Sequence, residues 1–207
     1  MKLNKINKKF VYLISPNKIP NINFYNDLAH VLSSKKISFF QLRLKKETNS
    51  NKLIIGKKIK KICNKYNVKF LINDDPLLAK KLNADGCHLG QKDMDLIKAR
   101  KILKNKIIGM TCHNSINLGK KAIENGADYL AFGAFYATKT KIVKYRASLT
   151  VLKSIKKITS IPIVAIGGIK LNNYKKLLLN KANFLAISGY IWNNKKYKPL
   201  EAIKKLK

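Results

Sequence analysis

Acidic residues are scarce in this chain, and four of them fall in one short stretch. The sequence has 44 Lys and Arg against 10 Asp and Glu, a formal net charge of +34, yet Asp74, Asp75, Asp85 and Asp93 all lie within residues 72–93. Magnesium prefers a few carboxylate oxygens completed by phosphate oxygens and water. We therefore predict that Asp74 and Asp93 bind Mg²⁺ together with a diphosphate. The structural alternative is that Asp75 begins one helix and Asp93 caps the next.

Basic side chains stand at the end of the second predicted strand. Gln41, Arg43 and Lys45 alternate with leucines, so all three face one side of the strand. An arginine fork grips phosphate oxygens in pairs, whereas a lysine acts as a point charge. This pattern predicts an anion site, and an edge strand with solvent-reaching side chains is the alternative.

Hydroxyl groups and glycines follow the later strands. Thr111 ends strand five, and strand six runs into a long loop with Thr138, Thr140 and Lys141, which is typical of an anion site under a closing lid. Glycines after strands seven and eight, in 167–168 and 188–189, let backbone amides approach a phosphate. With the basic strand end, these segments predict two phosphorylated substrates and a transfer in which magnesium diphosphate leaves.

Eight strand-like segments alternate with helix-like ones and must position these residues. The predicted strands are Phe10–Ser15, Phe39–Arg43, Lys69–Asn73, Gly86–Leu89, Ile107–Thr111, Tyr129–Phe132, Ile163–Ala165 and Phe184–Ile187. Strict alternation predicts a parallel sheet, and eight repeats favour one α/β domain over residues 1–207, a (β/α)8 TIM barrel with its site at the carboxyl ends of the strands. A doubly wound open sheet is the runner-up, but no glycine fingerprint follows the first strand.

Composition narrows the class of protein. No apolar run approaches the roughly 18 residues of a membrane span, and the basic first residues lack the apolar region of a secretory signal. Three cysteines without a Cys-x-x-Cys pair predict reduced thiols, so we expect a cytoplasmic protein. The lysines are spread along the helices, which favours a solvated coat over a nucleic-acid-binding face. The oligomeric state is left open.

Five motifs, in this order, resemble those of the thiamine-phosphate synthase family. They are Gln41-Leu-Arg-Leu-Lys45, Ile72-Asn-Asp74, Asp85-Gly-Cys-His-Leu-Gly-Gln-Lys-Asp93, Thr138-Lys-Thr-Lys141 and Ala165-Ile-Gly-Gly-Ile169, in a match over about residues 11–192. The resemblance implies a (β/α)8 barrel and a transferase of thiamine biosynthesis. The implied reaction joins 4-amino-2-methyl-5-hydroxymethylpyrimidine diphosphate to 4-methyl-5-(2-hydroxyethyl)thiazole phosphate and releases pyrophosphate.

The same resemblance implies the role of each site residue. Asp74 and Asp93 match the ligands of a Mg²⁺ cofactor, and Thr111 stands where the family usually has serine. Arg43, Lys45, Lys141 and Thr111 are the implied catalytic residues. The implied substrate-binding residues are Gln41, Arg43, Lys45, Asn73, Thr111, Thr138, Thr140, Lys141, Gly168, Ser188 and Gly189.

Two other functions compete with this hypothesis. A TenI-like thiazole tautomerase would share the fold and need a histidine near strand five, where His113 stands, but the basic and acidic residues of the pyrimidine half favour the synthase. A noncatalytic nucleic-acid-binding protein would need a contiguous basic face and salt-sensitive binding.

Overall fold

Parallel strands form a closed barrel in the computed structural model, which describes residues 9–19, 21–138 and 143–206. Each strand pairs with its sequence neighbours, and the eighth pairs with the first. Within those residues the strands are β1 (Val11–Ile14), β2 (Ile37–Leu42), β3 (Lys69–Asn73), β4 (Gly86–Leu89), β5 (Ile107–His113), β6 (Tyr129–Gly133), β7 (Ile163–Ile166) and β8 (Phe184–Ile187). The predicted TIM barrel is confirmed, and the open sheet is excluded.

Helices follow the strands and cover the outside of the barrel. They are α1 (Asn23–Ser33), α2 (Asn49–Lys65), α3 (Pro76–Lys81), α4 (Leu96–Leu103), α5 (Ile116–Glu124), α6 (Leu149–Lys156), α7 (Tyr174–Leu179), α8 (Gly189–Trp192) and α9 (Pro199–Lys205). In the described part of the chain, none is long and apolar enough to cross a membrane.

Side-chain caps set where several helices begin. Asp75 accepts a hydrogen bond from the Leu78 amide at 2.9 Å, with Pro76 as the first residue of α3, so the predicted cap is confirmed. The cap of α4 is Asp95, which accepts from the amides of Ile97 and Lys98. Asp93 is therefore not the cap of α4, and the structural alternative considered for it is wrong.

The apolar residues form two cores, one inside the barrel and one between the strands and the helices. The interior core holds an aromatic group in which Phe39 packs against the rings of Tyr12 and Phe184 at 5.4 and 5.1 Å between centroids. Gly109 on β5 leaves the space that the Tyr129 ring occupies, since a Cβ there would overlap the ring. The interior is thus a packed core, and its upper layer is polar.

Three strand pairs are joined by a two-way hydrogen bond at the amino end of the barrel. An Asp or Asn just before the second strand of each pair accepts from a backbone N–H of the first strand, and its own N–H donates to the carbonyl of that same residue. The pairs are Asp85 with Phe70, Asp128 with Ile108 and Asn183 with Ile163, with side-chain distances of 2.9, 2.7 and 2.9 Å. These strand brackets fix the register of β3 with β4, β5 with β6 and β7 with β8.

Candidate active site

Two cationic side chains reach the carboxyl end of the barrel from the residues after β2. The Nζ atom of Lys45 lies 2.9 Å from Oδ2 of Asp74. Arg43 donates from Nη1 to Oδ1 of Asn17 at 2.6 Å. Burial lowers the pKa of Arg43, and the negative charge of Asp74 opposes that shift. The strand alternation read from the sequence therefore brings both cations to Asp74.

The carboxyl groups of Asp74 and Asp93 meet across the neighbouring ends of β3 and β4. They are hydrogen-bonded to each other, and Asp93 also accepts from the Gly90 amide at 2.7 Å. Burial raises the pKa of Asp93, and the adjacent Asp74 raises it further. Burial also raises the pKa of Asp74, but Lys45 and the hydrogen bond with Asp93 outweigh it, so the pKa of Asp74 is lowered overall. Each of the two carboxyl groups therefore shifts the pKa of the other.

This pair of carboxyl groups fits a magnesium ion. Both supply hard oxygen ligands, and a cation between them would offset the repulsion of two adjacent carboxylates. No group of three or more His, Cys, Asp or Glu side chains that could hold a metal occurs in the described ranges. A metal held here would need non-protein ligands, which suits the habit of magnesium of binding one or two carboxylates together with substrate phosphates.

The backbone at Asp74 turns sharply so that its side chain can face the mouth. Its φ is +66°, a left-handed value that residues other than glycine adopt at a cost, and its amide donates to the carbonyl of His88 at 2.8 Å. Asn73, the last residue of β3, lines a cavity of about 180 Å³ together with Lys45, Lys52 and Asp74. A strained residue that aims a carboxylate at a cavity is typical of a functional site.

A chain of side-chain hydrogen bonds crosses the upper layer of the barrel interior. Gln41 donates to the hydroxyl of Tyr12 at 2.7 Å, and this hydroxyl lies 2.8 Å from that of Tyr129. Nδ1 of His88 lies 2.8 Å from the Tyr129 hydroxyl, and its Nε2 lies 2.8 Å from the hydroxyl of Thr111. Burial raises the pKa of both tyrosines, so they stay neutral. We call these five residues the interior chain.

The other half of the mouth lies at the ends of β6, β7 and β8. Gly168 has a φ of +61° and sits directly under the backbone of Tyr136 and Ala137, the segment that leads to Thr138. Ser188 donates to the carbonyl of Ser15 at 3.1 Å, and Gly189 begins α8. The fold thus brings Gly168 next to the loop after β6. Thr140 and Lys141 lie outside the described residues.

Three residues that contact predicted site residues, directly or through the interior chain, were not themselves predicted. They are Asn17, which orients Arg43, and the tyrosines Tyr12 and Tyr129 of the interior chain. The alternation of β1 and β6 places both tyrosines inward, but both stand in the amino-terminal half of their strands, so the rule that sites form at the carboxyl ends did not point to them. The ring of His113, the histidine of the tautomerase alternative, packs against the ring of Tyr145 in the segment before α6, with centroids 4.4 Å apart.

Comparisons with known proteins point to one family. The family model described as "Thiamine monophosphate synthase" matches residues 11–191. The thiamine-phosphate synthase of Pelagibacter ubique (strain HTCC1062) is 93% identical over the full length of both chains. That of Nitrosomonas eutropha is 36% identical and covers 92% of this chain and 90% of its own.

A solved structure gives the same result for the fold. The thiamine phosphate pyrophosphorylase of Pyrococcus furiosus superposes with a TM-score of 0.84 at 26% identity, over 97% of this chain and 94% of its own. The chain therefore belongs to the thiamine monophosphate synthase family, and its activity is thiamine-phosphate synthesis, a transferase reaction.

Proposed function

We propose that the protein joins the hydroxymethylpyrimidine diphosphate to the thiazole phosphate at the carboxyl ends of the barrel strands. The observation that carries this proposal is the meeting of Lys45, Asp74 and Asp93, with Arg43 beside them, at one loop mouth. Two cations and two metal-binding carboxyl groups form a site for a diphosphate with its magnesium ion.

The diphosphate is the leaving group in the proposed reaction. The bond between the pyrimidine methylene carbon and the diphosphate oxygen breaks, and the electron pair leaves with the diphosphate. The resulting cation is stabilised by the aminopyrimidine ring, and the thiazole nitrogen attacks the methylene carbon to form the new C–N bond. No enzyme nucleophile is required, so the protein contributes orientation and charge.

The charge that develops on the diphosphate is the proposed task of Arg43, Lys45 and Lys141. Asp74 and Asp93 would hold a magnesium ion, whose chemistry is to neutralise the diphosphate oxygens. Gln41, Asn73 and Thr111 would hold the pyrimidine in line with the incoming nitrogen. Lys45 now pairs with Asp74, and it would be available to bind the diphosphate if that carboxylate held a metal instead.

The thiazole phosphate would bind at the opposite side of the mouth. The proposed ligands are Thr138, Thr140, Gly168, Ser188 and Gly189. Support comes from the position of Gly168 under the loop after β6 and from the start of α8 at Gly189, because the first amides of a helix lack intrahelical partners. This arrangement separates the two anionic substrates and leaves their reacting atoms between them.

A direct assay of product formation with matched variants tests the proposal. Purified protein receives both substrates and magnesium, and thiamine phosphate is measured by fluorescence after oxidation to the thiochrome form. We expect product that disappears with chelator, and a loss in kcat/KM on the order of 100-fold or more for Asp74→Ala. Asp27→Ala is the control, because Asp27 is exposed on α1 and its replacement also removes one negative charge. Equal activity of the two variants would contradict the metal assignment.

We also propose that the protein acts in the cytoplasm on small anions, without nucleic acid. Cys63, Cys87 and Cys112 are free and buried, as expected in a reducing compartment. Basic residues occupy the last turns of α2 to α7 and α9, where they complement the helix dipoles on all sides of the barrel. Such spreading supports a solvated coat and not one nucleic-acid-binding face.

A further inference from the structure

The carboxyl end of β1 lies between the two proposed halves of the mouth. On one side it is flanked by β2, which leads to Arg43, and on the other by β8, which leads to Ser188. The register pairs of β1 stop at Ile14 toward β2 and at Leu13 toward β8. Beyond these points, side chains connect the end of β1 to its two neighbours.

Ser15 fixes the backbone of Arg43. Its amide donates to the carbonyl of Gln41 at 2.9 Å, and its hydroxyl oxygen accepts from the amide of Arg43 at 2.9 Å. The hydroxyl itself donates to the carbonyl of Pro16 at 3.0 Å. Ser15 is 2% exposed, so this hydroxyl is shielded from water and serves as the acceptor that the backbone of β1 does not supply.

Asn17 holds the other end of Arg43. The guanidinium donates from Nη1 to Oδ1 of Asn17 at 2.6 Å. A guanidinium has five N–H donors, so one can rest against Asn17 while others bind phosphate oxygens. The direction of each bond is settled by chemistry, because a backbone N–H and a guanidinium can only donate. The backbone and the tip of the cation proposed for the diphosphate are thus both held by the end of β1.

The carbonyls of β1 hold the short helix α8 on the opposite side. Ser188, just before the helix, donates from its hydroxyl to the carbonyl of Ser15 at 3.1 Å. Trp192, its last residue, donates from the indole N–H to the carbonyl of Ile14 at 2.7 Å, and its ring packs against that of Phe24 at 5.0 Å between centroids. Two consecutive carbonyls therefore fix both ends of α8, whose start is proposed to bind the thiazole phosphate.

We propose that residues 14–17 form a positioning element, the β1 junction, which fixes Arg43 relative to α8 and so aligns the two bound substrates. This proposal rests on the proposed function, which assigns the two sides to the diphosphate and to the thiazole phosphate. Joining two substrates depends on the alignment of their reacting atoms, and a misplacement of about 1 Å can lower the rate about 100-fold. Ser15 and Asn17 act through Arg43, so they are positioning residues.

Two ligands test the two sides of the β1 junction separately. Titration calorimetry measures the Kd of inorganic pyrophosphate with magnesium and the Kd of thiazole phosphate, and kcat is measured with both substrates saturating. We expect Ser15→Ala to raise the Kd of pyrophosphate about 10-fold, as for one weakened hydrogen bond to a charged group, and to leave that of thiazole phosphate unchanged. Trp192→Phe removes the indole N–H and keeps an aromatic ring, so it should do the reverse. Each variant should lower kcat about 10-fold or more.

Ser38→Ala is the matched control. Ser38 is a buried serine of β2, 6% exposed, and it donates to the carbonyl of Lys9 at the amino end of the barrel, far from the mouth. We expect this variant to lose stability in thermal unfolding, with kcat and both Kd values as in wild type. Ser15→Thr, which keeps the hydroxyl, is expected to retain the affinity for pyrophosphate.

The crossed pattern of the two affinities decides the proposal. A folded Ser15→Ala protein with the affinities and kcat of Ser38→Ala would overturn it, and so would equal weakening of both ligands by each variant, which a loss of stability alone would cause. If Ser15→Ala does not fold, Asn17→Ala takes its place because Asn17 is exposed, and unchanged pyrophosphate binding in that variant would overturn the proposal. If wild type bound both ligands but formed no thiamine phosphate, the proposed function would fail, and the crossed pattern would still decide the role of the β1 junction.

Discussion

Replacing Gly109 by alanine tests whether the interior of the barrel is as rigid as its packing implies. The added Cβ would overlap Cζ, Cε1 and Cε2 of Tyr129, a ring that is 1% exposed and held by Phe39 and Tyr12. Carbon atoms in contact lie about 3.5–4.0 Å apart, so the ring would have to retreat by about 2 Å. The hydroxyl of Tyr129 could not then keep its 2.8 Å bonds to Tyr12 and His88.

The expected cost combines two terms. Overpacking a filled core costs about 1–3 kcal/mol. Leaving buried polar groups unsatisfied costs about 1–3 kcal/mol more for each group. We expect Gly109→Ala to lower the free energy of unfolding by about 3–5 kcal/mol, a large share of the roughly 5–15 kcal/mol available to a domain.

Urea unfolding measured by circular dichroism checks this value. Gly119→Ala is the matched control, because its Cβ would meet only side-chain ends, Cδ1 of Ile155 at 3.0 Å and Cζ of Phe132 at 3.2 Å, and alanine favours the helix by about 1 kcal/mol. We expect it to stay within about 1 kcal/mol of wild type. A Gly109→Ala protein as stable as the Gly119→Ala protein would refute the argument from rigid packing.

Three further predictions concern the strand brackets, the charge and the buried tyrosines. Asp128→Ala is expected to lower the free energy of unfolding by about 1–3 kcal/mol, because the Ile108 amide loses its acceptor. Asp128→Asn keeps an acceptor, as Asn183 does in its own bracket, and should cost less. Equal losses for the two variants in urea unfolding would contradict this. The KM for the pyrimidine diphosphate should rise with added salt, because the Debye length falls from about 30 Å at 0.01 M to about 8 Å at 0.15 M. A KM that does not depend on salt would exclude long-range attraction of the substrate by the +34 charge. Burial raises the pKa of Tyr12 and Tyr129, so their neutral forms stabilise the fold fully below the unfolded pKa of about 10 and that stability is lost as pH rises toward the folded pKa. In an alkaline absorbance titration these two should ionise only as the chain unfolds, and ionisation before the loss of circular dichroism would disprove it.

The sequence patterns of the strands predicted most of the fold. The bounds of β3, β4 and β8 agree with those predicted, because each is a short buried run with turn residues on both sides. β2 begins at Ile37 and not at Phe39, since Ser38 enters the strand by donating to the carbonyl of Lys9. β5 extends to His113, two residues beyond the predicted end. The ends of strands respond to tertiary hydrogen bonds, which no local pattern encodes.

The site was predictable where the type of a residue is unusual for its position in the sequence. The acidic pair and the cations after β2 are unusual for their positions in the sequence, and the structure brings Asp74, Asp93 and Lys45 together. His88 hydrogen-bonds to Tyr129 and to Thr111 inside the barrel. Its partners lie on other strands, so the pairing depends on barrel closure and could not be read from the sequence.

The strand brackets also divide the barrel into modules, each of which is one continuous segment of the chain. Each bracket closes a single strand–helix–strand segment, β3–α3–β4, β5–α5–β6 or β7–α7–β8, from residues close in sequence. New chain termini placed in α4 or α6 would leave every bracket inside one continuous segment. Termini placed in α3, α5 or α7 would make one bracket join opposite ends of the polypeptide, with the loop-closure entropy that such a contact costs. Circular permutants cut between modules should therefore fold faster and more stably than those cut within them.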